Sequence, residues 1–271
     1  MIEKRLNSAP LRFFGSLLKH KEICHFVSTR NGGFSNFPYD SLNLGFHVGD
    51  NPETVLKNRE QIAMAMGIPL KCFTLSRQVH GHNVAVITDD LRGSGADSFN
   101  TAIDATDAMV TDIANICLVV LQADCVPLLF FDLKKKVIGA AHAGWKGTVQ
   151  MVAQNTVKTL KEKFNSSPDN IIVGIGPSIG PCCYEVGPEV VFPADTVFSD
   201  TRGYIKETDD GKRYFNLWEA NKIQLVLSGI PEENIKTSGI CTYCNHTLFF
   251  SHRYQRTETG RFGAGIMLVR S

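Results

Sequence analysis

Residues 116–147 read ICLVVLQADCVPLLFFDLKKKVIGAAHAGWKG, and this stretch decides the fold. Three β-rich runs, Ile116–Leu121, Pro127–Phe131 and Val137–Ala141, are separated by an ADCVP turn and by a second turn over Asp132–Lys136. If the first run climbs a sheet, the second descends and the third climbs again. Two reversals then bring Cys125 and His142 to the same edge of the sheet, although they are far apart in sequence. A thiol and an imidazole are thereby expected to meet in one cleft.

Working outward, similar short runs mark strands at His25–Thr29, Val84–Thr88, Ala108–Thr111, Ile171–Gly174 and Gly265–Val269. Helical spacing of apolar residues occurs in three places. Asn51-Pro52 opens a helix that runs to Met66 and stops at Gly67. A second runs from about Thr148 to Phe164 on a stripe of Val149, Val152, Val157, Leu160 and Phe164, and a third spans Asn216–Leu227. Many short strands with few helices between them predict an α+β fold with mixed or antiparallel sheet. No repeat, low-complexity block or linker interrupts the chain, so residues 1–271 read as a single domain.

The totals narrow the partners. Among 271 residues, 28 Lys and Arg stand against 27 Asp and Glu, a net charge of +1. A nucleic-acid binder needs a basic surplus to neutralise phosphates, and the totals carry none. The most hydrophobic stretch, Ile116–Phe131, is cut by Gln122, Asp124 and Pro127, so a membrane span is not expected. The N-terminus lacks the apolar core and cleavage site of a signal peptide. The reading is a cytoplasmic protein, in which eight cysteines act as structural, metal-binding or catalytic thiols.

Each candidate residue also has an ordinary reading. Cys125 alone is as well a small buried hydrophobe, but Asp124 before it and Pro127 after it make a poor core site. His142 alone is an ordinary strand-end histidine. Predicted to sit together, they become a functional pair. After them, Ala143-Gly144-Trp145-Lys146-Gly147 feeds a helix, where free N–H groups and the Lys146 charge could hold an anion. It is not a Walker P-loop, and a tight turn with a solvated lysine is the rival reading. Upstream, Arg77-Gln78-Val79-His80-Gly81-His82 puts two histidines on one face if the segment is extended. Either could join Cys125 and His142 in a three-ligand catalytic metal site with an open position. Spacing does not choose between them.

Weaker signals lie downstream. Gly174-Ile175-Gly176-Pro177 through Cys182-Cys183 departs from GxGxxG and reads as a rigid loop whose two thiols are free. Cys241-Thr242-Tyr243-Cys244 is a lone CxxC without the second pair of a zinc ribbon, although His246 and His252 are near enough to complete a site. Phe249-Phe250-Ser251-His252-Arg253, with Arg256 and Arg261 behind it, could offer cations to an anionic substrate.

RQVHGH (77–82), DAMVTD (107–112), ADCVPLLFFD (123–132), GAAHAGWKGT (139–148), GIGPSIGPCCYEVG (174–187) and FFSHR with GR at 260–261 occur in this order. Together they resemble the YfiH, or multicopper polyphenol oxidase (laccase-domain), family over most of the chain. The resemblance implies a single α/β domain grouped with cytotoxic-necrotizing-factor-like cysteine hydrolases. It also implies a zinc-dependent purine nucleoside phosphorylase, acting on adenosine, inosine and methylthioadenosine with adenosine deaminase activity beside it. Carried across by motif, the metal ligands are His80, Cys125 and His142, which selects His80 over His82. The chain has Lys146 where the family often has Arg, and Tyr254 where a second Arg is common; lysine cannot reproduce bidentate guanidinium geometry.

On this reading zinc activates a water for deamination. Arg77, Lys146, the helix N-terminus at Gly147 and Arg253 hold phosphate for phosphorolysis, and Asp124 carries a proton or supports a ligand. The expected partners are a purine nucleoside and phosphate, with no nucleic acid or membrane; the oligomeric state is open. A rival uses Cys125 as a nucleophile, its thiolate favoured by His142, in an amide hydrolase of the peptidoglycan-precursor type. Copper suits thiolate and imidazole, but eight histidines with one HxH pair are few for a multicopper oxidase. A non-catalytic metal-binding module is the remaining class.

Overall fold

The computed structural model describes residues 1–6, 9–198, 201–256 and 258–269. Among these residues two six-stranded sheets dominate. The first has the order β1 (Ile2–Leu6), β2 (Ala9–Phe13), β3 (Ile23–Ser28), β15 (Phe262–Leu268), β7 (Cys117–Gln122), β4 (Phe73–Thr74). The second runs β14 (Ile235–Thr237), β10 (Ile171–Ile175), β8 (Val126–Asp132), β9 (Val137–Ala143), β6 (Ala108–Thr111), β5 (Val84–Val86). Both mix parallel and antiparallel pairs. A small third sheet contains β11 (Glu185–Val186), β13 (Arg213–Phe215) and β12 (Ile205–Glu207). The expected α+β architecture with mixed sheet is what the chain adopts.

The two large sheets pack face to face. Leu118, Val120, Ala264 and Ile266 of the first meet Met109, Leu129, Phe131 and Ile138 of the second in one core cluster. Helices cover the outer faces. Alternate residues of the first sheet, Val119 and Leu121, pack with Ile62 and Ala63 of α1 (Pro52–Met66). Leu128 and Phe130 of the second sheet pack with Val157 and Leu160 of α3 (Val152–Phe164) and Leu225 of α5 (Leu217–Leu227). Strands β7, β8 and β9 are buried at every position, which is why they read as continuous apolar runs without alternation.

That double burial also corrects the expected three-strand meander. β8 and β9 form the predicted antiparallel hairpin, with Pro127 opposite His142 and Val126 opposite Ala143. Its turn is closed by Asp132 Oδ1, which accepts the N–H of Lys134 and Lys135. β7 belongs to the other sheet, between β15 and β4. Residues 123–125 therefore cross from sheet to sheet instead of closing a hairpin, and Asp124 takes a left-handed φ of 88° to do so. Cys125 and His142 still come together as expected, at the same end of the β8–β9 hairpin, which lies on inner strands of the second sheet. A strand buried on both faces looks the same whichever sheet holds it.

Helix ends followed their local signals with two exceptions. Asn51 caps α1 by accepting from Thr54 N–H, Pro52 sits in the first turn, and Gly67 ends it at φ 68°. Asn216 caps α5 in the same way. The helix expected from Thr148 instead begins at Trp145 as α2 (Trp145–Val149), then breaks at Met151, whose φ of 65° precedes α3. No glycine or proline marks that break. α4 (Pro188–Phe198) escaped prediction because Pro193 lies inside it. A final short helix, α6, spans His252–Gln255. No helix among the described residues is long and apolar enough to cross a membrane.

The core includes a titratable group with a readable consequence. His25 on β3 is 2% exposed and its Nε2 accepts the N–H of Phe14 at 2.9 Å. Burial, aided by the nearby Lys4 charge, pushes its pKa down to about 4. The unfolded chain binds a proton near pH 6.5 while the folded one stays neutral, so stability is full above pH 6.5 and falls as pH drops toward 4. Between pH 7 and 4.5 the loss from this residue is expected to be about 2–3 kcal/mol. Urea midpoints at the two pH values check this, and His25→Gln should flatten the slope.

Candidate active site and metal centre

The β8–β9 register presents Cys125 and His142 at one end of the second sheet, and the loop before β5 delivers His80 to them. The ligand atoms of His80, Cys125 and His142 all lie within 4.8 Å of one another. The two imidazoles meet edge to face, with ring centroids 5.0 Å apart. His82 does not join them; its Nδ1 pairs with Gln150 Oε1 at 2.8 Å. The segment is not extended there. His80 has φ 59°, and this left-handed residue turns the two histidines apart.

The residue that organises the loop is Asp107, at the foot of β6 and fully buried. Its Oδ2 accepts the N–H groups of Val79 and Gly81 at 3.1 and 2.7 Å, and its Oδ1 that of His80 at 3.0 Å. Oδ1 also faces His142 Nδ1 at 2.9 Å. Burial would raise its pKa, but the His142 bond and charge and the N–H groups of Gly81 and Val79 outweigh it, and the carboxyl is held below its ordinary range. The ionised Asp107 accepts a hydrogen bond from His142 Nδ1–H, which leaves Nε2 as the ligand atom, the arrangement that orients metal-binding histidines. Gln78 fixes the other side of the loop: its amide donates to Leu121 O and accepts from Leu121 N–H.

Cys125 carries the negative charge of the site. Burial alone would raise its pKa; the His142 charge, with hydrogen bonds from His142 and His80, draws it down to about 6. Burial likewise opposes the charge on His142, but Cys125 and Asp107 raise it to about 9. Once an ion displaces the His142 proton, the donor set is one thiolate and two imidazoles, the borderline-soft combination that suits zinc or copper. Three protein ligands are the number a catalytic zinc site uses, and His80 among them is exposed.

Gly144 is required here by space. A Cβ at this position would stand 2.9 Å from Cys125 Sγ and 3.0 Å from His80 Cδ2. Its φ of −70° and ψ of 175° suit any residue, so Gly144→Ala acts by crowding alone. We expect it to weaken metal binding by at least about tenfold with unchanged circular dichroism, as measured by competition with a chromophoric chelator.

The three residues open into a cavity of about 430 Å³, within the range of small-molecule sites. Leu121, Trp145, Ile179, Leu217 and Tyr184 supply apolar and aromatic surface, and His47, His252, Arg253 and Arg261 supply polar groups. Asp124 also lines it, but both its oxygens are engaged, with Thr242 Oγ1 at 2.6 Å and the Arg253 N–H at 2.7 Å. Arg253 reaches over the Tyr184 ring and donates to Glu185 O. Three expected anion-binding residues do not line the cavity. Arg77 faces Asp104 and Asn100 O and lies over Phe99. Lys146 is exposed over Trp145. Gly147 lies within a five-residue helix, its Cα packed close to Gly81 O. Sequence reasoning missed Asp107, Gln78, His47 and Tyr184. His47 keeps an exposed edge, yet desolvation by its packed neighbours, followed by the charges of Arg261, Arg59 and the two site histidines, pushes its pKa down to about 4.

The multi-copper polyphenol oxidoreductase laccase family model matches residues 24–269. The chain belongs to this family. Its relatives in the family include purine nucleoside phosphorylase YlmD of Geobacillus stearothermophilus, 40% identical over 89% of this chain and 88% of that protein. The crystal structure of YlmD from that organism superposes with a TM-score of 0.90 at 38% identity, covering 92% and 93% of the two chains. Adenosine deaminase RL5, from an unknown prokaryotic organism, is 35% identical over 89% of this chain and 92% of its own. Bacillus licheniformis YfiH, a hypothetical protein of known structure, superposes with a TM-score of 0.89 at 35% identity over 97% of each chain.

Proposed function

We propose that the protein is a zinc-dependent purine nucleoside phosphorylase that cleaves adenosine, inosine and S-methyl-5′-thioadenosine with phosphate, and that it also deaminates adenosine. The observation that carries this reading is the convergence of His80, Cys125 and His142 in a cavity that also holds two guanidinium groups and aromatic surface. Two relatives, a purine nucleoside phosphorylase and an adenosine deaminase, agree with it.

His80, Cys125 and His142 would hold the ion, with Asp107 fixing the His142 tautomer. Zinc in such a site supplies Lewis-acid polarisation and water activation near neutral pH. The chain's own groups do the rest. Trp145 and Tyr184 contribute aromatic surface against which a purine ring can pack. Arg253 and Arg261 provide fixed positive charge for phosphate, and they take the role that sequence position had given to Arg77 and Lys146. His47 lines the cavity, where its imidazole can carry a proton to or from the substrate. Asp124 acts as a positioning residue, since its carboxylate holds the Arg253 backbone.

This assignment of cations is separable by kinetics. Arg253→Ala should lower kcat/KM for phosphorolysis by about 10- to 100-fold, the loss of a charge-assisted hydrogen bond. Lys146→Ala and Arg77→Ala should stay within about threefold of the parent. Initial rates at varied phosphate concentration check this. The function itself is tested by incubating zinc-restored protein with adenosine, with and without phosphate. Adenine that appears only with phosphate, together with inosine in both mixtures, is expected; neither product appearing contradicts the proposal.

A second reading rests on one specific observation, the placement of the Cys125 sulfur within 4.8 Å of a His142 nitrogen, which is the pairing of a thiol nucleophile. It predicts an amide hydrolase that survives chelation and is lost to iodoacetamide. The metal reading predicts loss of activity on chelation and its return with zinc.

A further inference from the structure

A second sulfur cluster lies away from the His80–Cys125–His142 site. The Sγ atoms of Cys182, Cys183, Cys241 and Cys244 all fall within 4.8 Å of one another. Cys244 Sγ stands 3.4 Å from Cys183 Sγ and 3.7 Å from Cys182 Sγ. All four are free thiols. The partners missing from the lone CxxC are thus the vicinal cysteines of another loop, and not His246 or His252. His246 instead stacks on Tyr254 with ring centroids 3.6 Å apart.

Backbone bonds hold the two loops in place independently of the sulfurs. Ser178 pairs with Cys241 in a parallel bridge, with Ser178 N–H donating to Ile240 O and Thr242 N–H to Ser178 O. Gly180 lets them approach: a Cβ there would stand 3.1 Å from Cys241 Cβ and 3.3 Å from Cys182 Sγ. The Gly180 N–H points at Cys241 Sγ at 3.2 Å, the kind of backbone donor that stabilises a metal-bound thiolate. Two of the four thiols are exposed, and reduced thiols crowded at a surface are reactive unless something occupies them.

We propose that Cys182, Cys183, Cys241 and Cys244 form a tetrathiolate site for a single structural zinc ion. A tetrahedral Zn–S distance of about 2.3 Å sets S···S edges of about 3.8 Å, and the observed 3.4 and 3.7 Å separations are close to those edges. An iron–sulfur cluster fits less well, because its cysteines bind different irons and stand further apart. Binding converts four thiols to thiolates, releases their protons to solvent, and leaves all four donors closed around the ion, as in structural and not catalytic sites. The ion would staple the 178–184 loop to the 240–244 loop. Ile179 and Tyr184 of the first loop line the cavity, and Thr242 of the second bonds Asp124, so the staple sets one wall of the pocket.

The proposal is independent of the nucleoside reading, and it is tested on the Cys125→Ala chain, which lacks a ligand of the first site. After loading with zinc and removal of free metal, that chain should retain one zinc ion. Four more of its thiols should react with an alkylating reagent after chelation than before. Cobalt(II) in place of zinc should give strong sulfur-to-cobalt charge-transfer absorption of a four-thiolate site. This readout needs no substitution in the cluster itself. Cys241→Ser/Cys244→Ser in the same background should lose both the ion and the band. No retained zinc, retained zinc without thiol protection, or cobalt without the thiolate band would each overturn the proposal, as would isolation of the four sulfurs as disulfides that exclude metal.

Discussion

Asp107→Ala is expected to lower the affinity for the catalytic metal by at least about 100-fold and the melting temperature by about 5–10 °C. One buried carboxylate accepts three loop N–H groups and the His142 imidazole. Removing it leaves those donors without partners, and the buried ones each cost about 1–3 kcal/mol. Val79 and His80 are exposed, so water can reach their N–H groups. The net stability loss should therefore be about 3 kcal/mol, which corresponds to the melting shift given for a chain of this size. The metal loss has a separate origin. Without Asp107 the loop carrying His80 is no longer fixed and His142 can take the wrong tautomer, and partners of this kind are worth about 10- to 100-fold each in affinity. Asp107→Asn should keep more stability than Asp107→Ala but lose much of the metal, because an amide cannot accept from every donor the carboxylate serves. Chelator competition and calorimetry separate the two effects.

Cys125→Ala is expected to lower kcat/KM for phosphorolysis by at least about 1,000-fold, with zinc lost from this site. Residues that act as one unit are strongly non-additive, so Cys125→Ala/His142→Ala should be little worse than either single change. Cys125→Asp distinguishes a ligand from a nucleophile. A carboxylate is a zinc donor but no thiol, so this variant should keep more metal and more activity than Cys125→Ala. Equal, near-zero activity in both, with metal retained in Cys125→Asp, would favour the thiol nucleophile.

Local signals in the sequence were read where chemistry is local. Asn51-Pro52 and Gly67 bounded α1 because caps and stops are neighbours in the chain. Cys125 and His142 could be paired because a single hairpin register brings them together. The six motifs carried the family and, with it, the choice of His80 over His82. What escaped depends on long-range packing. The split of β7 and β8 between two sheets was hidden by burial on both faces of each strand. Asp107 is one residue of DAMVTD, and nothing in that motif says that its carboxylate is buried and serves four donors. Arg77 and Lys146 were chosen for charge and position, and their neighbours Asp104, Phe99 and Trp145 turned out to hold them outside the cavity. The CxxC at 241–244 lacked a partner in sequence because Cys182 and Cys183 come from a loop far upstream.

On the proposed reading, one ion is held by two imidazoles and a thiolate among the residues that line the cavity. Anomalous diffraction at the zinc edge, from crystals of zinc-restored protein, tests it most directly. A peak is expected about 2.0–2.1 Å from a nitrogen of His80 and from His142 Nε2, and about 2.3 Å from Cys125 Sγ, with Asp107 still bonded to His142 Nδ1. Fully active crystals with no peak among those three side chains would contradict it.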